Sequence, residues 1–208
     1  MVAIIHPQFN GWWLGQLVVS GLLFVLLSIL ITCSPWLTAH EETMQEKWLH
    51  PSRHWSWQII ARVFDPKVVV IWDFLLAGWL LIQGRSPRAI FVLATLGTVD
   101  AFGIVVKHTL RRVRPTTFAQ DTVSYSFPSG HTLGITIMAL MIQMLFTNFW
   151  VGGAVFIVWL LVIGSRLTLR AHYPSDIIGA ILLAYGWWIG AELLYLLIMR
   201  WNTEWMHD

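Results

Sequence analysis

With 208 residues, 57% of them hydrophobic and only 12% charged, the chain lies far from the roughly 25% charged composition of soluble domains and is an integral membrane protein. Its net charge of +2, and arginines gathered into a few short stretches instead of a basic face, give no support to nucleic-acid binding. The single cysteine, Cys33, excludes an internal disulfide and a thiolate metal cluster.

The first apolar run, 12–33, has no Lys or Arg before it and no small-x-small cleavage site after it, so it is expected to stay as a membrane helix. From 34 to 66 the composition changes. Glu41, Glu42, Glu46, Lys47, Arg53, Arg62 and Asp65 alternate with Trp48, Trp55, Trp57, Ile59 and Ile60, a mixture that suits one or two amphipathic helices on the membrane surface. A plain connector is the simplest role for this segment, and a substrate gate is the alternative. Further apolar runs follow at 68–83, 89–106, 132–149, 151–165 and 177–199. Crossing roughly 30 Å of hydrocarbon takes about 20 helical residues, so the runs predict six transmembrane helices. Fourteen tryptophans fit, because indole rings settle at the membrane interface. The expected fold is all-α: a polytopic membrane protein with six transmembrane helices and an interfacial helical segment between the first two. No repeat or flexible linker divides residues 1–208, which read as one domain.

Three polar clusters interrupt the apolar pattern: Lys107 with Arg114-Pro115, then Pro128-Ser129-Gly130-His131, then Ser165-Arg166 with His172 and Asp176. With six spans, the loops after spans one, three and five share a face, and all three clusters fall there. Charged groups beside apolar spans are costly to place, so their recurrence calls for a functional account.

Each cluster alone has an ordinary structural explanation. Basic residues at a helix end anchor topology, a serine before a helix caps it, and a His-Asp pair one turn apart can cap a helix start. Together they suit a phosphate. Arginine offers a planar fork of donors and lysine a compact charge, while Pro115 gives Arg114 a defined direction. Ser129 and Gly130 precede a helix whose free N–H groups attract anions. Pro174 suits the first turn of the last helix. Asp176 can then hold one nitrogen of His172 and leave the other for substrate, a plausible nucleophile arrangement. Phosphoryl transfer depends on positioning and on neutralising charge on the equatorial oxygens, which several cations can do.

The spacing resembles the three signature motifs of the type 2 phosphatidic acid phosphatase superfamily: Lys, six residues, Arg-Pro; Pro-Ser-Gly-His; and Ser-Arg, five residues, His, three residues, Asp. Every position matches, between Lys107 and Asp176. The resemblance implies that His172 attacks phosphorus to form a phosphohistidine, with Asp176 orienting the ring. It implies that His131 protonates the leaving oxygen and then activates water. Lys107, Arg114, Ser129, Gly130 and Arg166 would bind the phosphoryl oxygens, without metal or cofactor. A neutral His172 and a protonated His131 are needed together, which predicts a bell-shaped pH profile.

The resemblance further implies an active site on the extracytoplasmic face with cytoplasmic termini. Positive charge counted naively points the other way, because the loops on the terminal side carry only Arg85, Arg88 and Arg200. The expected partners are membrane lipids and a lipid phosphate substrate: phosphatidylglycerol phosphate, undecaprenyl diphosphate or phosphatidic acid. Compact size suggests a bacterial source. A lipid phosphotransferase using the same intermediate, a vanadate-dependent haloperoxidase and, outside enzymes, a lipid or anion carrier remain as alternatives. The haloperoxidases are generally soluble, and a carrier's charges would span the midplane instead of meeting on one face. His6, His40, His50, His54, His108 and His207 match no motif position. Arg111, Arg112 and Arg170 read as head-group contacts or solvated charge, and Asp100 stands as an unexplained carboxylate in the third span, open to pairing with a motif cation. Oligomeric state is not legible.

Overall fold

In a computed structural model, residues 11–48, 52, 54–115 and 125–205 are described, and they form helices with no strand among them. The elements are α1 (Gly11–Cys33), α2 (Pro35–Trp48), α3 (Trp55–Val63), α4 (Pro66–Ile82), α5 (Ser86–Leu110), α6 (Gly130–Leu145), α7 (Phe149–Thr168) and α8 (Pro174–Trp205). Arg53, His6, His50 and His207 lie outside the described residues.

Local chemistry sets the helix ends. Asp65 caps α4 by accepting from the Lys67 N–H at 3.1 Å, with Pro66 at the first helical position where no N–H is needed. Asn148 caps α7, its Oδ1 accepting from Trp150 N at 2.8 Å and Val151 N at 3.3 Å. Gly84, with φ of +71°, turns the chain between α4 and α5, a conformation that suits a residue without Cβ.

Helices α1, α5 and α7, together with Pro174–Trp201 of α8, are long and apolar enough to cross a membrane at 23, 25, 20 and 28 residues. With 17 and 16 residues, α4 and α6 are about 26 and 24 Å long, short of the full hydrocarbon thickness. Leu22, Phe74, Ile104, Phe156 and Leu197 point outward and are exposed, as side chains facing lipid are. The core is filled by Leu80, Val92, Leu96, Ile137, Met141 and Ala184.

Helix α8 is the hub, packing on α1, α5 and α6, while α5 carries α4, and α7 lies on α6. Two glycines of α8 allow close approach. A Cβ at Gly186 would lie 2.6 Å from Ser20 Oγ of α1, and one at Gly179 would run into the Phe127 ring. Phe127 thus seats the Pro128-Ser129-Gly130-His131 segment directly on α8.

Several expected boundaries are corrected. The run read as one span over 132–149 breaks after Leu145, because Phe146 leaves the helix and Asn148 starts the next one. Helix α7 extends to Thr168, so Ser165 and Arg166 stand in its last turn and not in a loop. Lys107 likewise lies on the last turn of α5. Segment 34–66 holds two helices, and α2 turns Glu41 and Gln45 into the protein interior, at 4% and 2% exposure. Asp100 makes no ion pair with a motif cation among the described residues; the charge it faces is Asp73 of α4. Two buried carboxylates inside the apolar runs, Asp73 and Glu192, join it. Glu192 pairs with Arg88 at 2.9 Å, under the Tyr195 ring 4.1 Å away.

Candidate active site

The site lies at one end of the bundle, where α5 and α7 finish and α4, α6 and α8 begin. One backbone and one side-chain-to-backbone hydrogen bond tie the motif segments together. Ser129 N donates to Asp176 O at 3.2 Å, and Arg114 Nη1 donates to Ala171 O at 2.9 Å. The three clusters, spread over about 70 residues of sequence, therefore form one structure.

His172 sits in the loop before α8 and is 1% exposed. Arg114 Nη1 lies 3.3 Å from its Nε2. A guanidinium can only donate, so Nε2 accepts and the ring proton is on Nδ1, facing Asp176 Oδ2 at 3.5 Å. That contact is long for a hydrogen bond, and Nδ1 has no other partner among the described residues. Catalytic contacts commonly tighten only when substrate binds. Burial lowers the His172 pKa to about 4, against the pull of Asp176 and with Arg114 and Lys107 pushing the same way as burial. The imidazole is therefore neutral at ordinary pH with a lone pair on Nε2.

Asp176 is fully buried, and both oxygens are used. Oδ2 accepts from Tyr173 N at 2.9 Å, and Oδ1 accepts from Arg112 Nη1 at 2.7 Å and, at a long 3.5 Å, from Ser126 Oγ. Arg112 is 7% exposed, which overturns its reading as a head-group contact or solvated charge. Arg111 is exposed, and it closes α5 in a left-handed conformation. Arg170 Nη2 donates to Gln45 O at 3.1 Å, so it braces α2.

His131, second residue of α6, has Nε2 3.1 Å from Arg166 Nη1, 3.1 Å from Ala61 O and 3.8 Å from Asp65 Oδ2. These partners make opposite demands. Bare, Nε2 accepts from Arg166; protonated, it donates to Ala61 O, so the partner it serves depends on its proton state. Arg166 is 5% exposed, with Nε donating to Ser165 Oγ at 3.1 Å, and its buried Nη2 has no partner among the described residues. An unpaired guanidinium donor suits an anion's oxygen. Ser129 caps α6, its Oγ accepting from Thr132 Oγ1 at 3.1 Å and from Thr132 N at 3.4 Å, and its own proton stays available. A Cβ on Gly130 would meet Pro66 Cγ at 3.3 Å. Lys107 is close enough to Arg114 and His172 to act on both electrostatically.

All eight predicted residues, Lys107, Arg114, Ser129, Gly130, His131, Arg166, His172 and Asp176, thus come to one end of the bundle. Sequence reading did not find Arg112, Glu41, Gln45 or Ala61. Charge next to a motif was the one available sign for Arg112, and nothing local marked the α2 residues or a backbone carbonyl.

Residues 88–204 match the family described as the PAP2 superfamily. Undecaprenyl-diphosphatase BcrC of Bacillus subtilis (strain 168) is 33% identical over 136 residues, spanning 61% of this chain and 68% of that protein. The crystal structure of a transmembrane PAP2 type phosphatidylglycerolphosphate phosphatase from Bacillus subtilis superposes with a TM-score of 0.67 at 18% identity, covering 91% of this chain and 96% of that one.

Proposed function

The chain belongs to the PAP2 superfamily and is a multi-pass membrane lipid phosphate phosphatase; we propose that it works through a phosphohistidine on His172, as a single domain over residues 1–208. The observation that carries this reading is the His172 imidazole, bare at Nε2 and backed by a buried carboxylate at Nδ1.

The steps follow from these atoms. The phosphate displaces Arg114 from Nε2, and its oxygens accept from Arg114, Arg166 Nη2, Lys107, the Ser129 hydroxyl and the Gly130 N–H. The Nε2 lone pair attacks phosphorus, and the bond to the lipid oxygen breaks. His131, protonated at Nε2, gives that proton to the departing oxygen. Asp176 steadies the cationic phosphoimidazole. His131 then takes a proton from water, which attacks phosphorus, releases inorganic phosphate and restores His172.

The cations take the role that a metal has in many phosphoryl transfers. Undecaprenyl diphosphate heads the substrate classes because the 33%-identical relative bears that name; phosphatidylglycerol phosphate and phosphatidic acid follow. The test is purified protein with these three lipids, with and without a chelator. Phosphate release unchanged by the chelator is expected, and release that stops on chelation and returns with metal would overturn the metal-independent reading.

The six-span topology is part of the proposal: α4 and α6 cross as well, with local bilayer thinning covering a few ångströms of shortfall, and α2 and α3 lie at the interface. The family resemblance supports an extracytoplasmic site with cytoplasmic termini in a bacterial membrane. Arg88, paired with Glu192, drops out of the topological charge count, as do the cations of the phosphate site. With Cys33 replaced, a cysteine placed at residue 120 is expected to react with an impermeant thiol reagent on whole cells and one at residue 86 is not; the reverse pattern inverts the topology.

A further inference from the structure

Building on the reading of His172 as nucleophile, we propose that Arg112 and Glu41 are positioning residues for the reaction, holding Asp176 against His172 and so making α2 part of the catalytic apparatus.

Asp176 needs its two oxygens kept apart in function, one for His172 and one for the scaffold. Arg112 does this. Its Nη1 donates to Asp176 Oδ1 and Ser175 Oγ, both at 2.7 Å, which turns Oδ2 toward Tyr173 N and His172 Nδ1. Arg112 is itself fixed. Its Nη2 donates to Glu41 Oε2 at 2.6 Å and Thr38 Oγ1 at 3.2 Å, and the Tyr173 ring lies 4.2 Å from the guanidinium carbon.

Glu41 closes the circuit on α8. Its Oε1 accepts from Ser175 N at 2.6 Å, and its Oε2 accepts from Ser175 Oγ at 2.8 Å. The Ser175 N–H is one of the free donors of the α8 N-terminus, where a carboxylate is favoured. Glu42 and Gln45 repeat the grip one residue and one turn along: Tyr173 Oη donates to Glu42 Oε1 at 2.9 Å, and Gln45 Nε2 donates to His172 O at 2.9 Å. Helix α2 thus holds the nucleophile loop by its backbone and by two of its side chains.

Charge gives the arrangement its direction. Glu41, Arg112 and Asp176 together carry one net negative charge beside His172, whose other charged or titratable neighbours are Lys107 from α5, Arg114 from the following loop and His131 from α6. Phosphorylation at Nε2 makes the ring cationic, and the net negative group stabilises it through Nδ1–H. Without the Glu41 charge the trio is neutral. Without the Arg112 charge it is doubly negative, but the carboxylate is unpinned.

These two changes therefore push the imidazole in opposite directions, which simple damage would not do. Full-length enzyme would be assayed on dioctanoyl phosphatidic acid as Glu41→Gln, Arg112→Gln, Glu41→Asp, Arg112→Lys, Asp176→Asn, Glu41→Gln/Asp176→Asn and His172→Ala. Misplacement of this order costs about 10- to 100-fold, and we expect that loss in kcat for Glu41→Gln and Arg112→Gln with KM nearly unchanged. The acid limb of kcat/KM should move to lower pH in Glu41→Gln and to higher pH in Arg112→Gln. Substrate ionisation is common to all variants and does not contribute to the difference. Glu41→Asp and Arg112→Lys keep the charge and should keep the limb in place while lowering kcat; they carry the test if a glutamine variant does not fold. Adding Glu41→Gln to Asp176→Asn should cost little more.

Wild-type kcat and acid limb in Glu41→Gln, limbs moving the same way in both glutamine variants, or full additivity with Asp176→Asn would each overturn the proposal. His172→Ala separates the two levels: an active His172→Ala enzyme removes the nucleophile reading itself, whereas an inactive one beside an unaltered Glu41→Gln removes only this inference.

Discussion

Replacing His172 with alanine is expected to abolish phosphate release, by about 10³-fold or more, without loss of the folded bundle. The side chain is buried, and two polar groups face it: Nε2 meets Arg114, and Nδ1 faces Asp176 at 3.5 Å. The loop is held independently by Gln45 on the His172 carbonyl and by Tyr173 N on Asp176. Alanine keeps both of those anchors. The ring's loss removes the atom that accepts phosphorus. Radiolabelled lipid phosphate, quenched in alkali, should leave acid-labile label on the wild-type chain and none on the variant. Label of equal amount on both chains would move the covalent step to another residue.

Replacing His131 with alanine is expected to separate the two half-reactions. General acid catalysis contributes about 10²- to 10⁴-fold, most when the leaving oxygen is basic. A lipid alcohol is such a group, whereas p-nitrophenolate leaves unaided. His131→Ala should therefore be severely impaired on phosphatidic acid and much less impaired in its first turnover on p-nitrophenyl phosphate. Hydrolysis of the phosphohistidine still lacks its base, so phosphoenzyme should accumulate. A burst of p-nitrophenol, equal to the enzyme present and followed by slow turnover, is the measurement. Equal losses for both substrates, with no burst, would remove His131 from proton transfer. Part of any loss belongs to α3, because His131 also touches Ala61 O; a folded His131→Gln variant, which can still donate to that carbonyl, isolates the chemical part.

The motif residues were legible because each is a polar group at the edge of an apolar run, and burial is so costly there that the pattern stands out in sequence. Six of the eight helices, α1 and α4 to α8, also followed from apolar length. The place of the break between α6 and α7 did not, since Phe146 and Trp150 keep the run apolar across it. Asn148 was the one signal, a good cap in an unremarkable place. Arg112 was misread for a physical reason. A basic residue beside a helix end is solvated by default, and only carboxylates 71 residues earlier and 64 residues later make it a buried one. Glu41 and Gln45 were hidden in the same way: α2 carries mixed charge like any interfacial segment, and its contacts with Ser175 and the His172 carbonyl are tertiary. Sequence spacing registers neighbours along the chain, and this part of the site is assembled across it.

The seating of α1 on α8, where Ser20 meets Gly186, also dictates an order of birth. Helix α1 enters the membrane well before its partner α8 is made. Until then its apolar face waits in lipid, Arg88 waits near the other end of the bundle for Glu192 of α8, and the His172 loop has no Asp176. Insertion of α8 closes all three at once. With His172 as the proposed nucleophile, a nascent chain of this protein stays chemically silent in the membrane until α8 is in place.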